Sequence, residues 1–388
     1  APGGVKCRSV GELADPASLD IAHIVGGEEA RWIVGPELIG RITVQTCRQS
    51  GLSNIYQELL DFDRNEIYVT DQPSLVGLTY FDAQLSFDDS TVIGVVRSGG
   101  VLINPIGTLV LEVGDQLIVI AEDDSAIRLG QPHPITPTGI TQRERPAPAP
   151  ERILVLGENQ TLSPMLIELD QYVAPGSAAT IVTRRKPRPL PELVGLTVTA
   201  QQGDATNRRT LEALDPTAFD HIIVLADMTV GAQQADSRTL VTLLHLRDIA
   251  SRAGKDLNIV TEMLDDANRE LAEVTEADDF IVSDKLVALT LAQISENGIL
   301  AEVFDVLFSS ASSEMYLHPA EEYVELGAEV DVTTVMEAAR LRGETAIGYR
   351  QAARARDKTA GYGVQLNPPK STRVIFHPRD QVIVLGER

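Results

Sequence analysis

Glu151-Arg152-Ile153-Leu154-Val155-Leu156-Gly157 decides how the rest of the chain is read. A run that is apolar at every position ends in a glycine and leads into a segment of helical periodicity, Leu162 to Tyr172. Strands without polar alternation have both faces buried, the condition inside a parallel sheet covered by helices. The pattern then recurs. Ala179-Thr180-Ile181-Val182, His221-Ile222-Ile223-Val224-Leu225-Ala226-Asp227 and Asn258-Ile259-Val260-Thr261-Glu262 are further apolar strands, and a long amphipathic run from Gln233 to Arg252 separates the last two. Residues 151–283 therefore read as an α/β doubly wound unit.

The totals set the frame. A chain of 388 residues is long enough for two or three domains. Its 43% hydrophobic and 23% charged residues are those of an ordinary globular protein. A formal net charge of −23 argues against nucleic acid or an anionic membrane as the main partner. Cys7 and Cys47 are the two cysteines, too few for a disulfide framework or a cysteine zinc site, which fits a reducing cytosolic setting. No run approaches the ~18 apolar residues that span a bilayer, and no signal peptide opens the chain. Beginning at Ala1-Pro2-Gly3-Gly4, it reads as an excised piece.

Outward from the central unit, residues 1–34 are short of a domain: Val5-Lys6-Cys7-Arg8-Ser9 is one candidate strand, and Ala14 to Leu19 a turn entering a short helix. Residues 36–60 are helical in pattern with a break at Ser50-Gly51. From Glu66 the period shortens. Ile67-Tyr68-Val69, Thr91 to Val96, Thr108 to Leu111 and Asp115 to Ile120 read as strands of a small sheet, separated by turn residues at Ser98-Gly99-Gly100, Asn104-Pro105 and Val113-Gly114. A first module thus covers 35–130. Residues 131–150, rich in proline, form a semi-rigid extended linker. After the doubly wound unit come helices over 284–308, then strands and turns to residue 388.

That ending repeats the beginning. Ile33-Val34 with Leu38-Ile39 answers to Ile281-Val282 with Leu286-Val287, Gln45 to Gln293, Leu52 to Leu300, and Glu66-Ile67-Tyr68-Val69 to Glu314-Met315-Tyr316-Leu317, all at one constant offset. Further on, Ile93-Gly94 answers to Ile347-Gly348, Ile103-Asn104-Pro105 to Leu366-Asn367-Pro368, and Asp115 to Ile120 matches Asp380 to Leu385. The first copy has only residues 1–34 ahead of its helices. Cys7-Arg8-Ser9 with Asp15-Pro16 resembles Gly203-Asp204 with Leu214-Asp215-Pro216, which predicts an N-terminally truncated first copy and a missing stretch between Ile24 and Val25.

A Rossmann-like lobe with Gly203-Asp204-Ala205-Thr206, a helical crossover, and a small sheet lobe ending in a Gly-Asp-x-Leu-type hairpin resemble an RCK (regulator of potassium conductance) domain. Gly40-Arg41 with Gln45 to Leu52, Gln234 to Leu240, Val119 to Asp124 and Ile347-Gly348-Tyr349-Arg350 are similar to the CASTOR/POLLUX ion channels of the nuclear envelope and their bacterial relatives. The resemblance runs over residues 5–388. It implies tandem RCK domains in which crossover helices 36–60 and 284–308 clasp the paired domain. It also implies a homo-tetramer with a ring of eight RCK units on the cytoplasmic face of a membrane. Ca²⁺ bound by that ring would be coupled to opening of a transmembrane pore that this stretch does not include.

Ca²⁺ wants several oxygen ligands, often carboxylates, and ligands of an open parallel sheet gather outside the carboxyl ends of its strands. Asp204, Asp227, Glu262 and Asp265 all stand at or just past such ends. The same acids equally suit helix caps and solvated loops. A second acidic run, Glu122-Asp123-Asp124, closes the first small lobe, and Asp61, Asp63 and Glu66 lie between helix and strand. Gly157-Glu158-Asn159-Gln160-Thr161 carries one glycine and a carboxylate where a pyrophosphate would sit, a poor dinucleotide loop. The six histidines are scattered and no nucleophile–base pattern exists, so catalysis has no support. The chain reads as the regulatory gating ring of a ligand-gated cation channel. The alternatives are a nucleotide-responsive subunit of a potassium uptake system, binding ATP or NAD through Gly157, and an NAD-dependent oxidoreductase. Calorimetry with Ca²⁺, ATP and NADH separates them.

Overall fold

The computed structural model describes residues 9–27, 30–131, 133–273, 279–309 and 313–387. Of the candidate first strand, Val5 to Arg8 lie outside them. The first copy contributes β1 (Ser9–Leu13), α1 (Leu19–Gly26), β2 (Ala30–Val34), α2 (Gly35–Arg48) and α3 (Leu52–Leu60). Its small lobe follows with β3 (Glu66–Asp71), α4 (Tyr80–Gln84), β4 (Thr91–Arg97), β5 (Gly100–Ile103) and β6 (Gln116–Ala121). The second copy opens with β7 (Arg152–Leu156), α5 (Leu162–Tyr172), β8 (Ala178–Thr183), β9 (Thr197–Gln202), α6 (Arg208–Leu214) and β10 (His221–Val224). It continues with α7 (Ala232–Ala253), β11 (Ile259–Met263), α8 (Arg269–Glu273), β12 (Asp279–Val282), α9 (Ser283–Glu296) and α10 (Leu300–Leu307). Its small lobe holds β13 (Glu314–Pro319), β14 (Glu329–Asp331), α11 (Val332–Arg340), β15 (Thr345–Arg350), β16 (Val364–Leu366), β17 (Arg373–Ile375) and β18 (Gln381–Gly386). The chain divides into two compact units, residues 1–53 with 147–298 and residues 54–146 with 299–388.

In the first unit, β7–β12 form one all-parallel sheet of order β9-β8-β7-β10-β11-β12. Leu154, Leu156, Val182, Ile222 and Val224 on one face meet Leu211 of α6 and Leu243 and Leu246 of α7. Burying such a side chain stabilises the fold by about 1.5–3 kcal/mol. Helix α2, from the first copy, packs on α5 and on β10, β11 and β12 of the second, while α9, from the second copy, packs on β1 and β2 of the first. The crossover helices are thus exchanged, as the resemblance implied. Gly40 makes the α2–α5 approach possible: a Cβ there would lie 3.0 Å from the Met165 nitrogen. Gln45 Nε2 donates to the Tyr172 hydroxyl (3.0 Å) and Arg48 pairs with Glu151 (2.7 Å) across the same seam.

The first-copy remnant has the ladder of the second copy's last two parallel strands. β1 pairs with β2 in the register in which β11 pairs with β12, Glu12 opposite Ile33 as Glu262 is opposite Ile281. Asp15 caps the turn Pro16–Ser18 as Asp265 caps Asp266–Asn268. Asp15 thus stands in the ladder where Asp265 stands in the second copy, and Ile24 and Val25 lie within helix α1. A strand ended by an acid that caps a short turn recurs after several strands of this fold.

In the second unit the two small lobes are copies in three dimensions. Their sheets have the same order, β3-β6-β4-β5 and β13-β18-β15-β16. The register slips at the same point in each, between Val92 and Gly94 and between Ala346 and Gly348, an extra residue that bends the strand. Asn104 and Asn367 are both left-handed (φ 49° and 48°) and bond reciprocally. Asn104 donates to the Gly343 carbonyl (3.0 Å) and accepts from Thr345 (2.8 Å); Asn367 donates to the Asp89 carbonyl (2.8 Å) and accepts from Thr91 (2.8 Å).

Three details of this unit depart from expectation. Thr108 to Leu111 is not a strand; it pairs with the loop before α4, through Tyr80 N–H to Leu109 O (2.7 Å) and Leu111 N–H to Leu78 O (2.9 Å). The strand is instead β5, joined to β4 by the left-handed pair Ser98-Gly99 of a tight hairpin. The proline-rich segment is extended but not free. Ile140 bridges to Val324, and Arg145 reaches Glu322 (2.6 Å), Glu344 (2.6 Å) and the Tyr323 hydroxyl (2.5 Å).

Candidate functional site

The order β9-β8-β7-β10 places the switch in winding direction between β7 and β10, where ligands of open α/β sheets bind. A cavity of about 340 Å³ opens there, lined by Gly157 and Glu158 after β7, Thr183 at the end of β8 with Arg184, Arg185, Lys186 and Arg188 after it, Asp227, Thr229 and Val230 after β10, and Arg238 of α7.

The turn after β7 is occupied by the protein's own groups. Gly157 is left-handed (φ +108°), and a Cβ on it would lie 2.6 Å from the Leu225 carbonyl oxygen. The glycine is therefore required by the neighbouring strand. Asn159 Oδ1 accepts from the Thr161 N–H (2.9 Å) at the entrance to α5, and Asn159 Nδ2 donates to Ala226 O (3.0 Å) and Glu262 Oε2 (2.6 Å). Glu158 pairs with Arg188 (3.0 Å).

The acids singled out in the sequence are dispersed. Asp204 accepts from the N–H (3.0 Å) and hydroxyl (2.7 Å) of Thr206, and Asp227 likewise from Thr229 (3.1 and 2.5 Å). Arg184 bridges the two, 3.3 Å from Asp204 and 3.5 Å from Asp227, and Arg238 also binds Asp227. Partial burial works against the charge on both carboxyls, but the threonine hydrogen bonds and the arginines outweigh it and hold them below the usual range. So these two acids do converge, with a guanidinium already between them.

Glu262 is different. It is fully buried, accepting from Asn159, from the Ala226 N–H (3.1 Å) and from the Ser283 hydroxyl (2.6 Å), and burial pushes its carboxyl upward despite these bonds. Asp265 caps Ala267 (3.0 Å). Its own N–H and that of Leu264 go to the buried Asp236 of α7 (3.1 and 3.0 Å), a structural acid the sequence reading did not single out. In the other unit, Glu122, Asp123 and Asp124 are exposed after β6, and Asp123 caps Ser125 (2.7 Å) and Ala126 (3.1 Å). Among the described residues no group of three or more His, Cys, Asp or Glu is placed to hold a metal ion. What the sequence reading also passed over is the run Arg184-Arg185-Lys186-Pro187-Arg188, visible as four cations in five residues of a strongly acidic chain.

The fold is that of a tandem RCK gating-ring region. It superposes on the human SLO3 gating ring with a TM-score of 0.70, at 12% identity, over 98% of this chain and 81% of that one. The family model of Castor and Pollux, part of voltage-gated ion channel, matches residues 36–136. The probable ion channel CASTOR of Oryza sativa subsp. japonica is 31% identical over 99% of this chain and 47% of its own length. For the ion channel CASTOR of Lotus japonicus the figures are 30%, 99% and 50%. The chain belongs to the CASTOR/POLLUX family, whose members are named as channels rather than enzymes, and spans about half the length of the curated relatives it matches. Among the described residues no helix is long and apolar enough to cross a membrane.

Proposed function

We propose that this chain forms the regulatory ring on the cytoplasmic face of a ligand-gated cation channel, assembled as a homo-tetramer of eight RCK units, with Ca²⁺ as the ligand whose occupancy drives a pore. The observation that carries this reading is the duplicated module with exchanged crossover helices, α2 on the second copy and α9 on the first. Two modules locked in this way move as linked bodies, so a ligand that favours one arrangement shifts the population of both. A ring multiplies a modest preference per site into a steep response. The candidate ligands for Ca²⁺ are Asp204, Asp227, Glu262, Asp265 and the run Glu122-Asp123-Asp124. Of these, Asp204 and Asp227 are the pair nearest to a site, ionised and facing each other across Arg184. Swinging Arg184 and Arg238 away would free both for a cation.

Calorimetry of the purified chain with Ca²⁺, together with anomalous scattering from Ca²⁺-soaked crystals, tests this. Saturable heat and a peak on any of these carboxylates are expected. Heat with ATP or NADH and none with Ca²⁺ would replace the proposal with the nucleotide-responsive uptake subunit. A monomer by sedimentation at all concentrations would remove the ring.

A further inference from the structure

The cleft at the β7–β10 switch point is basic in a chain of net charge −23. Arg184, Arg185, Lys186, Arg188 and Arg238 line it against the carboxylates of Glu158 and Asp227. Glu158 is already neutralised by Arg188, and Asp227 by Arg238 and Arg184. Arg185 and Lys186 lie exposed on the loop that replaces a helix between β8 and β9, and their charge is the surplus of the cleft. Such a concentration of like charge in one loop is unfavourable without a counter-charge. Solvent and salt supply part of that counter-charge, and a bound polyanion supplies it better. At about 340 Å³ the cavity is in the range of small-ligand sites.

The shape of the site also limits what the anion is. A dinucleotide places its pyrophosphate on the glycine turn at a helix N-terminus. Here that turn presents Glu158, and Asn159 already fills the Thr161 N–H. The positive charge stands across the cleft, on the loop after β8 and on α7. The geometry points to a binding site for a compact, multiply phosphorylated anion, free or as a lipid headgroup, held by Arg185 and Lys186 with Arg184, Arg188 and Arg238. Guanidinium groups suit this task because they meet phosphate oxygens two at a time. The site shares Arg184 and Asp227 with the Ca²⁺ pair proposed above but needs neither Ca²⁺ nor ring assembly, and a test of anion binding alone reads it separately.

The test is calorimetry of the whole chain with sodium tripolyphosphate, repeated on the double variant Arg185→Ser, Lys186→Ser. Both side chains are exposed, so the variant folds, as an unchanged thermal transition would verify. Saturable binding is expected, weakened about tenfold or more in the variant and weakened further by raising KCl. NADH should bind more weakly than tripolyphosphate. Co-sedimentation with phosphatidylcholine vesicles containing a phosphoinositide, against soluble inositol hexakisphosphate, assigns the source: vesicle binding that the variant loses indicates a headgroup, and binding of the soluble anion alone a free ligand. No heat with tripolyphosphate, heat that the double variant keeps, or tighter binding of NADH would each overturn the site.

Discussion

Glu12 and Glu262 occupy the same place in the two copies, opposite Ile33 and Ile281 in matching parallel ladders, yet they are different chemical objects. Glu262 is sealed under a six-stranded sheet and takes hydrogen bonds from Asn159, Ala226 and Ser283. Glu12 stands on a two-stranded sheet, exposed to solvent, and Gly35 replaces Ser283 beside it. The amino acid is shared; the strand on its far side is not. β10 separates Glu262 from water and supplies the Ala226 N–H from the loop just beyond it, and β1 has no such neighbour among the described residues. Burial of a repeated residue is therefore a property of the sheet around it.

The small lobes teach the converse, because there the copies agree in structure while the groups that secure them differ. The position before β4 is Ser90, whose carbonyl is gripped by the buried ammonium of Lys370 (2.6 Å). The position before β15 is Glu344, gripped by Arg145. Equivalent strand starts are each held by a cation from a distant part of the chain, one against a carbonyl and one against a carboxylate.

The sharpest way to break the first comparison is to remove both acids. Glu262→Ala leaves a backbone N–H and a hydroxyl buried without their acceptor, takes one of two acceptors from Asn159 Nδ2, and should cost about 3 kcal/mol in urea denaturation. Glu12→Ala should cost less than about 0.5 kcal/mol. Equal losses would mean that the first-copy strand is as enclosed as the second.

The second comparison is sharpened by pH. Burial pushes the Lys370 ammonium down to about 8, with Asp88 and Asp89 resisting, whereas a lysine in the unfolded chain titrates near 10.4. Between these values the unfolded state binds more protons, so stability rises with pH across that window. A rise of about 2 kcal/mol is expected from pH 8 to 10. Lys370→Met should flatten it. A slope that survives in the variant belongs to other groups.

The smallest effect probes what the lobes share. Asn104→Gly and Asn367→Gly preserve the left-handed backbone and delete the reciprocal side-chain bonds, so each should cost about 1 kcal/mol. A marked inequality between them would show that the reciprocal contact is not symmetric in energy.

Much of this was legible in the chain. Repeated apolar runs such as Ile153 to Leu156, alternating with helical patterns, signal a parallel sheet, and the constant spacing from Ile33 to Tyr68 and from Ile281 to Tyr316 exposed the duplication. Asp204, Asp227 and Asp265 lie just past strand ends and Glu262 within β11, and the sequence did not show what surrounds them. Asp204 and Asp227 meet because β9 and β10 flank β8 and β7, and Arg184 sits between them because the loop after β8 carries no helix. Thr108 to Leu111 misled because a short apolar run signals a strand whether the partner is a sheet or a loop. Residues 131–150 are extended, as their prolines announce, but prolines say nothing of what such a chain lies against.

Local composition by itself determined the modules, their duplication and the parallel sheet, since period and apolar content are properties of neighbouring residues. Tertiary structure alone decided which acids are buried, which are neutralised by arginine, and what the basic run 184–188 faces. Those outcomes depend on strand order and on loops that meet across the sheet, and electrostatic energy is set by distance in space rather than by distance along the chain.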